Sequence, residues 1–241
     1  MRQVVVTGGG TGIGRAVAAA FAAAGDEVVI TGRRADVLGK TAADIGSRVR
    51  PVPFDASDPE QVTAALDQLP STVDVLVNCA GGNTDIGAPD PDGLAGLAAA
   101  WRLNLDANVL SAVMVTTALR PRLAAGGAVI NVSSIAAHRA GAAAYGAAKA
   151  AVEAWNLTLA ADVGADGITA NVIAPGYIED TGFFRDRMTD QRRSTLIGQT
   201  FNGRAGNPGD IAGTALFLAS PSASHITGQV LHVNGGALTV L

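Results

Sequence analysis

Three polar side chains in the middle of the sequence have the types and spacing to move a proton. Ser134 is followed eleven residues later by Tyr145, and Lys149 comes four residues after Tyr145. Residues four apart lie on one face of a helix, so the phenol and the ammonium would be neighbours. A free tyrosine has a pKa near ~10, and a nearby ammonium lowers it by stabilising the phenolate. The pattern predicts an acid or base for a carbonyl oxygen, with a serine hydroxyl beside it.

A glycine-rich run near the N-terminus could bind the other component of such a reaction. It reads Thr7-Gly-Gly-Gly-Thr-Gly-Ile-Gly14, between a short apolar run and an Ala-rich helical stretch. Glycines permit a tight turn and a close approach of the backbone to phosphates, and a helix N-terminus offers free N–H groups. We interpret the run as a loop for a dinucleotide pyrophosphate. The alternative is an ordinary strand–helix turn, and the spacing is Gly-x-x-x-Gly-x-Gly, unlike that of two-domain dehydrogenases.

The elements that must position these residues alternate along the chain. Short, mostly β-branched runs suit strands that are buried on both faces of a parallel sheet. They are Val4–Val6, Val28–Thr31, Val49–Phe54, Val73–Val77, Ala128–Val132, Ile168–Ile173 and Val230–Val233. Amphipathic helical stretches between them include Arg15–Ala24, Pro59–Leu69, Leu94–Leu123, Ala143–Val163 and Pro208–Leu218. The pattern predicts an α/β fold: one Rossmann-like, doubly wound, seven-stranded parallel sheet with helices on both faces, and residues 1–241 as a single domain.

One connection breaks this rhythm. Gly176–Gly206 is long, rich in charge, and carries Phe183, Phe184, Met188 and Phe201. Connections of this length are usually functional or disordered. The aromatic residues favour a part-helical lid over a substrate.

Composition excludes several classes of function. The net charge is −4 and the sequence pI is about 5.3, which argues against nucleic acid as a partner. The single cysteine, Cys79, excludes an internal disulfide, and no metal site is predicted. No apolar run reaches the ~18 residues of a membrane span, and the N-terminus enters a strand-like run directly. We expect a cytoplasmic protein that does not bind membranes.

In several motifs the chain resembles the short-chain dehydrogenase/reductases, over its whole length. Thr7-Gly-x-x-x-Gly12-Ile-Gly14 is similar to the family's cofactor motif, and Asn78-Cys-Ala-Gly81 to its Asn-Asn-Ala-Gly motif, with Cys79 in place of the second Asn. Asn104 falls at the asparagine of the catalytic tetrad. Asn131-Val-Ser-Ser134 and Tyr145-x-x-x-Lys149 complete that tetrad, and Pro175-Gly176 follows the sixth strand.

The resemblance implies a role for each tetrad residue. Tyr145 would be the general acid in reduction and the base in oxidation, while Ser134 would hydrogen-bond the substrate oxygen. Lys149 would lower the pKa of Tyr145 and bind the nicotinamide ribose. Asn104 would hold a helix kink and a water of a proton relay. Ser133 is the rival of Ser134, but the family places the catalytic serine second.

The resemblance also implies a set of cofactor-binding residues. They are Gly8, Thr11, Gly12, Ile13, Gly14, Arg33, Arg34, Asp55, Asn78, Ala80, Gly81, Tyr145, Lys149, Pro175, Gly176, Ile178 and Thr181. Asp55 would contact adenine, with a helix N-cap as its alternative role, which Asp58 fills better. Thr181 lies one residue later than the family's carboxamide-binding threonine, so the backbone of Ile178 is the preferred contact there.

The end of the second strand indicates the cofactor. Gly32 stands where an NAD-preferring enzyme places Asp or Glu, and Arg33 follows it. A guanidinium can bind a 2′-phosphate through charge-assisted hydrogen bonds, so NADP(H) is expected over NAD(H). Arg34 is an alternative partner, and Arg15 could add charge. Solvated arginines at a helix start are the other interpretation.

The expected activity is reduction of a ketone or 3-oxoacyl group by hydride transfer from NADPH. The alternatives are a secondary-alcohol dehydrogenase in the oxidative direction and a catalytically silent dinucleotide sensor. An acyl carrier protein is a possible partner but is not favoured, because Ala125 and Asp166 stand where carrier-protein reductases tend to carry arginines, although Arg120 and Arg122 are near. The Ser134–Tyr145 gap is two residues shorter than is usual, which predicts a tight loop containing His138 and Arg139. The family usually forms homotetramers.

Overall fold

The computed structural model describes residues 1–184 and 187–240, and its centre is one parallel sheet. The strands lie in the order β3-β2-β1-β4-β5-β6-β7, and each pairs in parallel with its neighbours. Their bounds are β1 Gln3–Thr7, β2 Glu27–Gly32, β3 Val49–Pro53, β4 Val73–Asn78, β5 Leu123–Val132, β6 Thr169–Pro175 and β7 Val230–Val233. Because the order reverses between β1 and β4, the loops after these two strands diverge and leave a crevice at the carboxyl edge. The expected fold class is confirmed.

Helices cover both faces of this sheet. Their bounds are α1 Gly12–Ala23, α2 Ala35–Ile45, α3 Pro59–Ala65, α4 Gly93–Leu105, α5 Ser111–Leu119, α6 Ala143–Gly164, α7 Asp190–Gly198 and α8 Pro208–Leu218. None of the helices in the described residues is both long and apolar enough to cross a membrane. The helix α7 lies inside the long connection and gives it the helical part that the sequence predicts. The connection's residues 185 and 186 lie outside the described residues.

The core has two halves because successive strand residues point to opposite faces. On one face, Val4 and Val6 of β1 pack with Phe21 of α1 and Ile211 of α8. On the other face, Val5 joins a cluster that includes Val115 of α5, Leu159 of α6 and Val62 of α3. The two buried faces explain why the strands read as continuous apolar runs and do not alternate.

The stretch expected as one helix over Leu94–Leu123 differs in the structure. Here α4 ends at Leu105, a π-helical turn follows over Asp106–Leu110, α5 ends at Leu119, and β5 begins at Leu123. Asn108 lies in the π turn and is buried, with Nδ2 donating to the carbonyls of Asn104 and Gly82 at 2.9 Å each. These bonds tie the widened turn to the loop after β4, which periodicity alone does not reveal.

Candidate active site

The fold brings Ser134, Tyr145 and Lys149 together at the carboxyl edge of the sheet. Ser134 follows β5 in extended backbone, and its Oγ accepts from the N–H of Ala136 at 3.1 Å. Tyr145 stands in the first turn of α6, and its side chain is hydrogen-bonded to Ser134. Lys149 lies one turn further on, with Nζ 5.8 Å from the centre of the Tyr145 ring. Hydroxyl, phenol and cation therefore form one cluster.

The acidity of Tyr145 is opposite to the sequence-based expectation. Burial raises the pKa of Tyr145 to about 12, and the Ser134 hydrogen bond opposes this only in part. Tyr145 is only 6% exposed, and the cost of burying a phenolate dominates over the charge of the nearby lysine. Tyr145 is therefore a protonated phenol at neutral pH.

Lys149 is buried as well, and its charge is held at a cost. Its Nζ donates to the carbonyl of Val132 at 2.8 Å. Burial lowers the pKa of Lys149 to about 8, although the carboxylate of Glu153 opposes this shift. Burial also raises the pKa of the Cys79 thiol to about 11. A neutral thiol of this kind fits a packing residue and not a redox group.

The hydroxyl of the neighbouring Ser133 makes hydrogen bonds within the protein. Ser133 is buried, and its Oγ lies 2.7 Å from Oε1 of Glu153 and 3.1 Å from the carbonyl of Lys149. A hydroxyl has only one proton, which these two acceptors share. This geometry favours Ser134 over Ser133 for contact with a substrate oxygen.

Asn104 lies in the last turn of α4 and is fully buried. Its Nδ2 donates to Oδ1 of Asp85 at 2.8 Å, and its Oδ1 accepts from the N–H of Thr84 at 3.3 Å. The π turn begins two residues later, so Asn104 does stand at an irregularity of the helix. Its side-chain bonds hold the loop after β4, and a role in a proton relay stays a prediction. The sequence analysis does not identify Asn108. Its only signal in the sequence is its spacing, one helical turn after Asn104.

The glycine loop has the shape of a phosphate cradle. A Cβ on Gly8 would lie 2.8 Å from the carbonyl oxygen of Cys79, and a Cβ on Gly14 would fall far inside contact with the carbonyl oxygen of Gly8. Thr11 is the N-cap of α1 and makes no side-chain capping bond, so the first N–H groups of the helix, including that of Ile13, remain for a ligand. These features fit a dinucleotide pyrophosphate.

Two further segments meet this loop. The Thr7 hydroxyl accepts from the N–H groups of Cys79 at 3.1 Å and Ala80 at 3.0 Å, which joins β1 to the Asn78–Gly81 motif. Thr181 lies against Gly12, where an added Cβ would be 3.1 Å from the Thr181 carbonyl. The start of the long connection thus reaches the phosphate cradle.

The rest of the expected cofactor set divides into exposed and internal groups. Arg33 and Arg34 are exposed just beyond the end of β2, with Arg34 as the N-cap of α2. Asp55 Oδ1 accepts from the N–H of Ser57 at 2.9 Å and from its hydroxyl at 2.7 Å, while Asp58 caps α3. Pro175 ends β6 and Gly176 follows it. Ile178 bridges to Gly206, and Gly81 approaches Asn108.

Asn78 is an exception, because its side chain faces inward. Its Nδ2 donates to the Thr116 hydroxyl and to Oδ1 of Asn131, each at 2.8 Å. Asn131 in turn donates to Asn156 at 3.0 Å, and Asn156 donates to the Ala170 carbonyl at 3.1 Å. Asn78 therefore belongs to a buried network that fixes β4 and β5 to α6. Any contact of Asn78 with a cofactor stays a prediction.

Aromatic residues of the long connection cover the phenol. The Phe183 ring lies 5.7 Å from the Tyr145 ring, Phe184 is 5.0 Å from Phe183, and Tyr177 is 5.8 Å from Phe184. Arg139 of the tight loop donates to Oε1 of Gln199 at 2.8 Å and to the carbonyl of Ala237. The tight loop and the long connection are thus in contact, and the long connection also reaches the Tyr145 ring.

Comparison with known proteins identifies relatives that match this chain over nearly its whole length. The model of a family described as enoyl-(acyl carrier protein) reductase matches residues 8–238. A short-chain reductase protein, NovJ, of Streptomyces niveus is 35% identical and covers 96% of this chain and 92% of its own. Galactitol 2-dehydrogenase of Cereibacter sphaeroides is 35% identical, with coverage of 96% and 92%. The 3-oxoacyl-[acyl-carrier-protein] reductase of Vibrio cholerae is 33% identical, with coverage of 98% and 96%.

Solved structures of similar proteins share the fold of this chain. A short-chain type dehydrogenase/reductase from Mycobacterium ulcerans superposes with a TM-score of 0.89 at 33% identity, covering 98% of this chain and 89% of its own. A blue fluorescent protein from a metagenomic library, in complex with NADPH, gives 0.86 at 32% identity, with coverage of 99% and 98%. A 7α-hydroxysteroid dehydrogenase in complex with NADH gives 0.88 at 31% identity, with coverage of 100% and 95%.

Proposed function

The chain belongs to the short-chain dehydrogenase/reductase family, an oxidoreductase family acting on CH–OH and C=O groups, and from this premise we propose that it is an NADPH-dependent carbonyl reductase. Its product is a secondary alcohol. Residues 1–241 act as one domain, with residues 176–206 as the substrate lid. The observation that carries the proposal is the cluster of Ser134, Tyr145 and Lys149 beside the glycine cradle.

Tyr145 is in the protonated form that the reductive direction requires. When bound, the nicotinamide supplies the hydride for the carbonyl carbon. Tyr145 then gives its proton to the carbonyl oxygen, for which a phenol with its pKa raised to about 12 is already in the required form at pH 7. Ser134 orients that oxygen and stabilises its developing charge. Oxidation requires a phenolate, which burial disfavours, so the alcohol dehydrogenase is the second candidate.

Lys149 and the glycine loop supply the remaining roles. The ammonium of Lys149 stabilises the phenolate left after proton transfer and binds the nicotinamide ribose. Gly8, Gly12 and Gly14 receive the pyrophosphate at the N-terminus of α1. In this proposal the phenol, the serine hydroxyl and the lysine act as one unit, as a catalytic cluster does.

The preference for NADPH rests on the end of β2. Gly32 offers no carboxylate to a ribose hydroxyl, and the exposed Arg33 and Arg34 can pair with a 2′-phosphate. The kcat/KM with NADPH should exceed that with NADH, and Gly32→Asp with Arg33→Ala should shift the ratio towards NADH. Equal or better turnover of NADH by the unmodified enzyme contradicts this assignment.

A free small-molecule ketone fits better than a carrier-bound substrate. Arg120 donates to the Asp162 carbonyl at 2.7 Å, and Arg122 donates to the Leu66 carbonyl at 2.8 Å. Both arginines are committed to contacts within the chain. They are therefore poorly placed to bind the acidic surface of a carrier protein, and we assign a free carbonyl compound as the substrate.

Mutation of the phenol tests the activity. Tyr145→Phe removes the proton donor and should lower kcat by ~10²–10⁴ while the affinity for NADPH changes little. Ser134→Ala should also lower kcat, whereas Ser133→Ala is the matched control because its hydroxyl bonds internally. If Tyr145→Phe keeps more than about a tenth of the activity, the acid is wrongly assigned. NADPH binding without turnover of any activated ketone favours the silent sensor.

The assembly proposed is a homotetramer. The stretch from α4 to α6 exposes a set of large apolar side chains: Leu94, Leu97, Trp101, Leu103, Leu110 and Leu157. Exposed apolar area of this kind marks protein interfaces. We place the subunit contacts on these helices and on the C-terminal strand.

A further inference from the structure

A buried carboxylate lies next to the catalytic cluster and has no part in the reaction as derived above. Glu153 is on α6 one turn beyond Lys149, which is itself one turn beyond Tyr145, so the three side chains share one face of the helix. Glu153 is 9% exposed. A carboxylate at such a position needs compensating partners, since burial of an unpaired charge is costly.

Each oxygen of Glu153 has a partner from a different element. Oε1 accepts from the Ser133 hydroxyl at 2.7 Å, next to the carbonyl of Lys149. Oε2 lies 2.7 Å from Nε2 of His138. Because a carboxylate only accepts, Nε2 carries the proton of that bond. Glu153 thus joins the end of β5, the tight loop and α6.

The position of this loop gives the contact a consequence. His138 lies on the segment between Ser134 and Tyr145, so it links the two residues that would hold the substrate oxygen. The His138 ring also packs against His232 of β7, with ring centres 5.5 Å apart. Glu153 is therefore the anchor on α6 for the loop that carries Ser134.

The charge of Glu153 acts on Lys149. Two opposite charges one helical turn apart in a water-poor site attract more strongly than the same pair in water. The other titratable groups facing Lys149 are Cys79 from the end of β4 and Tyr145, and both are held neutral by burial. His232 faces Glu153 and is kept uncharged by burial, which lowers its pKa. Glu153 is the described carboxylate that stabilises the Lys149 ammonium.

We propose that Glu153 is a positioning residue of the active site, whose carboxylate keeps Lys149 cationic and holds the loop after Ser134 against α6. The proposal rests on the proposed function, because it gives the cation of Lys149 a role in that reaction. It makes no claim of contact between Glu153 and the substrate.

The sequence offers a direct measurement, because Lys40 and Lys149 are its only lysines. Lysine labelled with ¹³C at Cε gives two signals whose titration reports each ammonium, and Lys40→Arg assigns them. Lys40 is exposed and pairs with Asp44 at 3.0 Å, so it is an internal reference in every variant. Glu153→Gln removes the charge and keeps groups able to bond Ser133 and His138. Glu153→Met is a second uncharged variant if the first does not fold.

The titration midpoint of Lys149 should fall by about half a pH unit or more in Glu153→Gln or Glu153→Met, with that of Lys40 unchanged. Ser133→Ala and His138→Gln are matched controls that keep the carboxylate, and they should move the midpoint by less than about 0.2 unit. If the uncharged variants leave the midpoint of Lys149 in place, the proposal is overturned. This result does not depend on enzyme activity, so it stands even if the proposed reductase activity is wrong.

The pH profile of ketone reduction then tests the role in the reaction. In Glu153→Gln, the fall of kcat at high pH should move to lower pH by the same amount as the Lys149 midpoint. The KM for NADPH at pH 7 should stay within about twofold, which separates loss of charge from general damage. A shifted midpoint with an unmoved pH profile overturns the catalytic part of the proposal. It also removes Lys149 from the proposed mechanism.

Discussion

Replacing Lys149 should make the protein more stable. Lys149→Met keeps the length of the side chain and removes a charge from a site where Lys149 is 5% exposed. Burial lowers the pKa of Lys149 from 10.5 to about 8. At ~1.36 kcal/mol per pKa unit, folding at pH 7 carries a penalty of about 3 kcal/mol for this one ammonium.

The loss of one hydrogen bond reduces the stability gained by Lys149→Met. Lys149 Nζ donates to the Val132 carbonyl at 2.8 Å, and methionine cannot replace that donor. A bond of this kind contributes ~1 kcal/mol. The free energy of unfolding of Lys149→Met should therefore exceed that of the wild type by about 2 kcal/mol at pH 7.

The stability gained by Lys149→Met should also decrease as pH rises. Below pH 8 the lysine is protonated in both folded and unfolded chains, so the penalty is complete. As pH rises through 8 the folded protein releases the proton first, and the penalty shrinks until the unfolded lysine also titrates near 10.5. The stability advantage of Lys149→Met should thus be largely lost by pH 9.5.

Urea denaturation of cofactor-free protein at pH 7 and pH 9.5 measures this difference, and it should be done at one protein concentration because binding and assembly shift apparent stability. Lys40→Met is the matched control: Lys40 is exposed, and its loss should change stability by less than about 0.5 kcal/mol at either pH. If Lys149→Met is less stable than the wild type at pH 7, or its advantage does not shrink at pH 9.5, the assignment of a costly buried charge is wrong.

Two further predictions concern the cofactor cradle and the lid. Gly14→Ala should abolish NADPH binding, measured by the change in cofactor fluorescence, because its Cβ would collide with the Gly8 carbonyl; retention of wild-type affinity would show that the cradle does not constrain this position. Amide hydrogen exchange over the described parts of 176–206 should slow when NADPH and a ketone bind together, and equal exchange with and without both ligands removes the lid from the proposal.

Most of the fold could be predicted from the sequence because its signals are local. Each strand reads as an apolar run, and the glycine loop, Asp58 and Tyr145 stand at positions where turns, caps and helix faces have clear chemical requirements. The helix predicted over 94–123 is too long because the π turn that interrupts it depends on a tertiary contact. Asn108 reaches Gly82 across the loop after β4, and no periodicity within the helix contains that contact.

The candidate site was predictable in its members and less so in its energetics. Sequence spacing places Lys149 beside Tyr145, and from that alone the phenol should be more acidic than a free tyrosine. The structure adds burial, which raises the pKa of Tyr145 and is the largest cause of its shift. The link from Glu153 to His138 joins residues 15 positions apart on separate elements, so only the folded arrangement reveals it.

These observations connect stability with the proposed catalysis. Burial keeps Tyr145 protonated but also makes it a weaker acid, so proton donation needs a nearby cation to stabilise the resulting phenolate. The same burial disfavours the ammonium of Lys149 that must supply this stabilisation, so one environment opposes both steps. A second buried charge of opposite sign relieves this conflict without exposing the site to water, and Glu153 occupies that position on the same helix face. The arrangement carries a cost in folding free energy, and the cost is expected to appear as extra stability when Lys149 is removed.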